Sequence, residues 1–165
     1  MIRAAVPADA ARLAELGART YHDTFVDHTD PEDLRIFLAR TYNEAEQAEE
    51  LADPTIVTFV DEIDGELVAY AQLKLDENDP SRIELGRLYV DRSQHGKGVA
   101  HAMMRRCLDE AAARGAKTIW LGVWEHNERA KAFYRKYGFV KCGEHPFIVG
   151  TDVQTDHEME RPVAG

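Results

Sequence analysis

The sequence is poor in cysteine: Cys107 and Cys142 are the only two, with no CxxC and no paired Cys/His spacing. That argues against a disulfide framework or a zinc site and leaves buried free thiols as the ordinary reading. Long apolar runs are missing too, since no stretch approaches the roughly 18 residues that would span a bilayer. Neither membrane insertion nor, at 44% hydrophobic and 30% charged residues, disorder is expected. The first residues, MIRAAVPADAARLAEL, have no basic start leading into an apolar core. They read as the first folded residues and not as a secretion signal, so a cytoplasmic protein is expected. Repeats, low-complexity stretches and flexible linkers are absent, and 165 residues predict one domain over positions 1–165.

Positive charge is scarce. Twenty basic side chains stand against thirty acidic ones, a net −10 that excludes general binding to nucleic acid or anionic lipid. The distribution is uneven: residues 1–90 carry −12, residues 91–141 carry +6 and residues 142–165 carry −4. Solvated faces of unequal charge would explain this, as would one stretch that meets an anion while the rest meets cations.

The chain reads β-α-α-β-β-β-α-β-α-β-β, with a further short helix over Glu44 to Leu51. Ile2 to Val6 suggests an edge strand. Pro7 and Asp9 open an apolar-periodic helix through Leu13, Leu16 and Ala18. Asp30 caps a second helix, Pro31 to Tyr42. In Thr55 to Leu75, β-branched and aromatic runs flank Asp64-Gly65, a favoured hairpin pair. After a strand at Ile83 to Val90, Ala100, Met103, Met104, Cys107, Leu108 and Ala111 form one helical stripe that Gly115 stops. KTIWLGVW reads as a buried strand, and Asn127 caps a short helix bearing Ala130, Phe133, Tyr134 and Tyr137, ended by Gly138. Strands at Phe139 to His145 and Val153 to Met159 follow. The predicted class is α+β (α/β), a sheet with helices on its faces.

The chemistry concentrates after Leu88-Tyr89-Val90, where a turn leads into His95-Gly96-Lys97-Gly98-Val99-Ala100 and a long helix. Glycines allow close approach of backbone to a phosphate, and the first helical N–H groups lack internal partners and favour negative charge. A P-loop would need GxxxxGK[ST] and a dinucleotide fingerprint GxGxxG; neither is present. LYVDRSQHGKGVAHAMM resembles the pyrophosphate loop of the GNAT superfamily of N-acetyltransferases, (Gln/Arg)-x-x-Gly-x-(Gly/Ala), with Gly98 and Ala100 fitting and His95 standing where Gln or Arg is usual. LGVWEHNERAKAFYRKYGF resembles the same superfamily's strand, Asn-x-x-Ala helix and Phe-Tyr-x-x-x-Gly-Phe ending. YHDTF at Tyr21 to Phe25, LGVWEHNERA and HPFIVGTDVQTDHEM are similar to the PaiA-type polyamine N-acetyltransferases.

The resemblance implies a mixed, mostly antiparallel seven-stranded sheet with helices on both faces, a splay between the fourth and fifth strands, and acetyl-CoA as co-substrate without a metal. It implies direct transfer of acetyl to a primary amine of a small molecule, a polyamine first of all, in one ternary complex. An alkyl ammonium presented neutral at pH 7 costs about 4.6 kcal/mol, so a base is needed. Glu84 is the candidate, direct or through a water, because period two in IELGRLYV puts Glu84, Gly86, Leu88 and Val90 on one face; a solvent-facing role is the alternative. Tyr134, by its Phe-Tyr match, is the proton donor to the CoA thiolate, although its spacing from Ala130 and Tyr137 also suits a core aromatic.

A backbone N–H near Val90 would stabilise the oxyanion, and Leu88, Tyr89 and Val90 would pair with the pantetheine amides. His95 to Ala100 would hold the pyrophosphate. Asn127 would cap its helix or also bind pantetheine; Lys131, Lys97 and Arg92 would meet phosphates or remain solvated. Asp23, Asp152, Asp156 and Glu158 are carboxylates suited to a second ammonium, or ordinary surface groups. Two other functions fit the same motifs: acetylation of a protein N-terminus or lysine, and a non-catalytic acyl-CoA-binding regulator. The superfamily resemblance also raises a homodimer.

Overall fold

The computed structural model describes residues 1–165. Seven strands form one sheet in the order β1-β2-β3-β4-β5-β7-β6: β1 Ile2–Ala4, β2 Ile56–Ile63, β3 Glu66–Leu75, β4 Arg82–Val90, β5 Thr118–Trp124, β6 Val140–Val149 and β7 Asp152–Pro162. Every neighbouring pair is antiparallel except β4 and β5. Five α-helices accompany it: α1 Ala10–Phe25, α2 Pro31–Thr41, α3 Glu44–Ala52, α4 Val99–Ala113 and α5 Glu128–Lys136. No helix is long and apolar enough to cross a membrane.

Local chemistry explains the helix starts. Asp30 accepts from the N–H groups of Glu32 and Asp33, Asn43 from Glu46, and Asn127 from Ala130, each taking up a donor that the helix leaves unpaired. The first strand is shorter than expected, because Pro7–Asp9 form a tight turn before α1. The last two strands are longer and make a hairpin whose tip reaches α2. There the Asp33 carboxylate accepts from the Thr151 N–H and hydroxyl, both at 2.9 Å.

Two apolar cores divide at the sheet. On one face Met103, Met104, Cys107 and Ala111 of α4 pack on Phe59, Leu73, Ile83 and Ile119, joined at the edge by Phe133 and Tyr134 of α5. On the other, Leu13, Leu16, Tyr21 and Phe25 of α1 pack on Val60, Tyr70 and Trp124. Cys107 lies in the first core, where burial pushes its thiol up to about 12. Cys142 is exposed, which corrects the expectation that both thiols are buried; it is the unpaired residue of a bulge in β6.

The feature that positions the site is the β4/β5 junction. The two strands pair only over Arg82 to Glu84 and Thr118 to Trp120. Beyond that they part, β4 continuing to Val90 and β5 to Trp124, which is the splay expected between the fourth and fifth strands.

Candidate active site

A cleft of about 720 Å³ lies at this gap, lined by residues from both faces of the sheet. On the α4 side the end of β4 contributes backbone amides. The Asp91 N–H donates to Val68 O across the β3 edge, so strand alternation turns the amides of Leu88 and Val90 the other way, into the gap. The Leu88 and Val90 side chains pack on the α4 core, while Tyr89 faces the opposite core beside Tyr70 and Tyr21.

Past β4, Gly96 and Gly98 sit at φ of 78° and 81°, the left-handed region that glycine enters without a steric penalty. This turn brings exposed backbone to the start of α4, whose N-cap Gly98 supplies no side chain to the first helical amides. Val99 buries its side chain, Ala100 lines the cleft and Lys97 is exposed. These free amides, together with the two pointing from β4, are donors of the kind that a pantetheine arm and a pyrophosphate accept. The chain therefore fits acetyl-CoA on this side.

His95 makes two contacts within the protein. Its Nε2 lies 2.9 Å from Val90 O, which can only accept, and its Nδ1 lies 3.2 Å from the Arg129 guanidinium, which can only donate. The ring must therefore carry its proton on Nε2. It ties the end of β4 to the loop and holds Arg129 at the cleft, a cation that the sequence pattern did not single out. Lys131 corrects an expectation: it is buried and bound to Glu125 O and Glu128, so its ammonium is not at the loop. Asn127 caps α5 through Oδ1 while lining the cleft.

Tyr134 lines the cleft from α5 among Phe133 and Phe139, and burial raises its pKa, which keeps the phenol protonated at neutral pH. Glu84 is half-buried and also lines the cleft, but on the other face from the one expected. Gln72 pairs with Arg87 and Leu73 with Leu85, which leaves Gly86 unopposed as a bulge. One extra residue reverses the alternation, so Ile83, Leu85, Leu88 and Val90 all face α4 while Glu84 faces α1. Arg87 fixes the bulge: its guanidinium is 2.7 Å from Glu50 of α3 and lies over the Tyr42 ring at 5.2 Å.

On that α1 side the cleft becomes a chamber walled by aromatic rings. Tyr21 stacks between Phe25 and Phe37 at 4.4 and 4.6 Å, Phe37 meets Phe147 edge-on, and Trp124 closes against Phe25. The buried Tyr21 hydroxyl has no protein partner. Among the carboxylates, Asp23 and Asp156 line the chamber, Glu158 reaches it through His145, and Asp152 bonds Gln154 near the hairpin tip instead. Asp156 is 8% exposed and burial raises its pKa, an effect that His145 opposes.

Comparison with known proteins agrees with this geometry. Residues 18–139 match the family model described as the Acetyltransferase (GNAT) family. An uncharacterized N-acetyltransferase of Mycobacterium tuberculosis is 37% identical over 154 residues, 93% of this chain and 97% of that protein. One from Lactobacillus delbrueckii subsp. lactis is 33% identical over 158 residues, 93% of this chain and 91% of that one. The fold is similar to that of the PaiA N-acetyltransferase of Thermoplasma acidophilum, solved with coenzyme A, at a TM-score of 0.82 and 20% identity, with 98% of each chain covered. The chain thus belongs to the GNAT family, as an N-acetyltransferase whose co-substrate is acetyl-CoA.

Proposed function

We propose that this enzyme acetylates a primary amine of a small molecule, a polyamine before other classes, in the cytoplasm and by direct attack within one ternary complex. The observation that carries this reading is the chamber on the α1 face. Aromatic walls and carboxylates suit an alkyl chain bearing ammonium groups, since ring faces and anions both attract a cation. The hairpin tip is held on α2 through Asp33, and Phe37 of α2 and Phe147 of β6 wall the chamber, an arrangement that suits a small acceptor better than a peptide.

The amine enters from the α1 side and the acetyl group from the α4 side. An ammonium that becomes an amide loses two protons. Glu84 takes one on the amine's side of the gap, directly or through a water, and the Tyr134 hydroxyl returns one to the departing sulfur. Tyr134 recovers its proton from the nitrogen of the adduct. The Val90 N–H, directed into the gap, stabilises the oxyanion, and Leu88 to Val90 hold the pantetheine as an added strand, with Asn127 beside them. Arg129 and the exposed Lys97 and Arg92 meet the phosphates.

The test is release of thiol from acetyl-CoA in the presence of spermidine, spermine, aminoglycosides, amino acids or peptides. Spermidine and spermine should give turnover with one N-acetyl product per thiol. Turnover on peptides alone would replace this reading, and release no faster than hydrolysis with every amine would remove it.

A further inference from the structure

His145 lies between two carboxylates and is not used by the transfer chemistry above. It projects from β6 into the chamber with Nδ1 3.1 Å from Glu158 Oε1 and Nε2 3.5 Å from Asp156 Oδ2. Its ring lies on Gly122, in the parted segment of β5: a Cβ there would fall 2.8 Å from the ring Cε1. A side chain at 122 would push the imidazole away, so glycine is what lets it sit between the two carboxylates. Other titratable groups lining the same cleft on this side are Glu84 and Arg87 on β4, Lys74 on β3, Tyr21 and Asp23 on α1, and Tyr42 after α2; β5 offers only Gly122, Trp120, Val123 and Trp124. Arg87 is held by Glu50.

Burial disfavours the charged form of Asp156, and a cation beside it offsets that cost. The protein provides one in His145 when the ring is protonated. The unpartnered Tyr21 hydroxyl, buried in the same wall, marks this corner as built for something that binds there. Resting on the amine-acceptor reading above, we propose that protonated His145 is a built-in occupant of the ammonium subsite formed by Asp156 and Glu158, and that the acceptor's ammonium displaces its proton on binding. Acid thus closes the subsite and base opens it. Imidazole is the side chain that changes charge between pH 5 and 8, whereas an alkyl ammonium keeps its own charge throughout that range. Each acceptor bound then releases one proton from the protein, and its apparent affinity rises by up to about tenfold per pH unit below the titration of the ring.

The experiment is calorimetric titration of spermidine into the whole protein at pH 6 and 8, each in two buffers of different ionisation enthalpy. Wild-type protein should release more protons per spermidine at pH 6 than at pH 8. His145→Gln should release none at either pH and bind at pH 6 about as tightly as wild type at pH 8. Gly122→Ala, which moves the ring without removing it, should shift in the same direction. In parallel, the KM for spermidine should fall between pH 6 and 8 in wild type and stay level in His145→Gln, while the KM for acetyl-CoA is unchanged. A purely structural histidine would lower the melting temperature on substitution and leave proton release intact. Binding without proton release, or equal release from His145→Gln, overturns the inference and leaves the acceptor reading standing. No spermidine binding at either pH overturns both.

Discussion

The two sides of the cleft are made of different materials. On the α4 side the groups proposed to hold acetyl-CoA are mostly main-chain amides, supplied by one edge of β4, a turn with two glycines and a helix start, all within residues 88–101. On the α1 side they are side chains drawn from α1, α2, β4, β5, β6 and β7, brought together across more than a hundred residues. A backbone site tolerates changes of side chain: His95 stands where the family uses Gln or Arg and is spent on fixing Val90 O and Arg129. A side-chain site has no such tolerance, and it is there that members of one family can differ in acceptor.

The sharpest way to break the contrast is Gly98→Asp. It forces a side chain into a left-handed conformation and sets a carboxylate against the phosphate position, so acetyl-CoA binding measured by calorimetry should be lost, while binding of spermidine alone persists. Next is Tyr134→Phe, which should lower kcat by roughly 100-fold with acetyl-CoA affinity within a few-fold of wild type. Unchanged turnover would remove Tyr134 from the chemistry. On the acceptor side, Asp33→Ala frees the Thr151 N–H and hydroxyl and loosens the hairpin tip, so the KM for spermidine should rise about tenfold with the KM for acetyl-CoA unaffected. The smallest effect comes from long-range charge. With −12 on residues 1–90, the KM for spermine should climb with ionic strength more steeply than that for a monoamine. No salt dependence would return the net −10 to a matter of solubility.

The same contrast explains what could be read from the sequence. The glycine turn, the helical stripe of Met103, Met104, Cys107 and Ala111 and the capping Asn127 depend on contiguous residues and local periodicity, and they lie where expected, while the parting of β4 from β5 followed from the family resemblance alone. Glu84 shows the limit. Strict alternation puts it on the face of Leu88 and Val90, and the bulge at Gly86 moves it to the other side. Gly86 is the one local hint of a bulge within IELGRLYV, but its effect on the faces shows only in the pairing with β3, beside Arg87 meeting Glu50 and Tyr42. Lys131 fails for a related reason, since a basic residue near an anion loop carries no local sign that Glu125 O and Glu128 will capture it. His145 and Tyr21 acquire meaning only through the register of β6 on β7 and the packing of α1 over the gap. The segments holding them, HPFIVG and YHDTF, signalled a family likeness but no role for either residue.

That acetyl-CoA and the amine reach the gap from opposite faces of the sheet can be tested by hydrogen–deuterium exchange with each ligand added alone. Coenzyme A should slow exchange at residues 88–101 and 127–134 and leave residues 20–25 and 145–156 unchanged, with spermidine giving the reverse pattern. Protection of the same segments by both ligands would contradict a two-faced site.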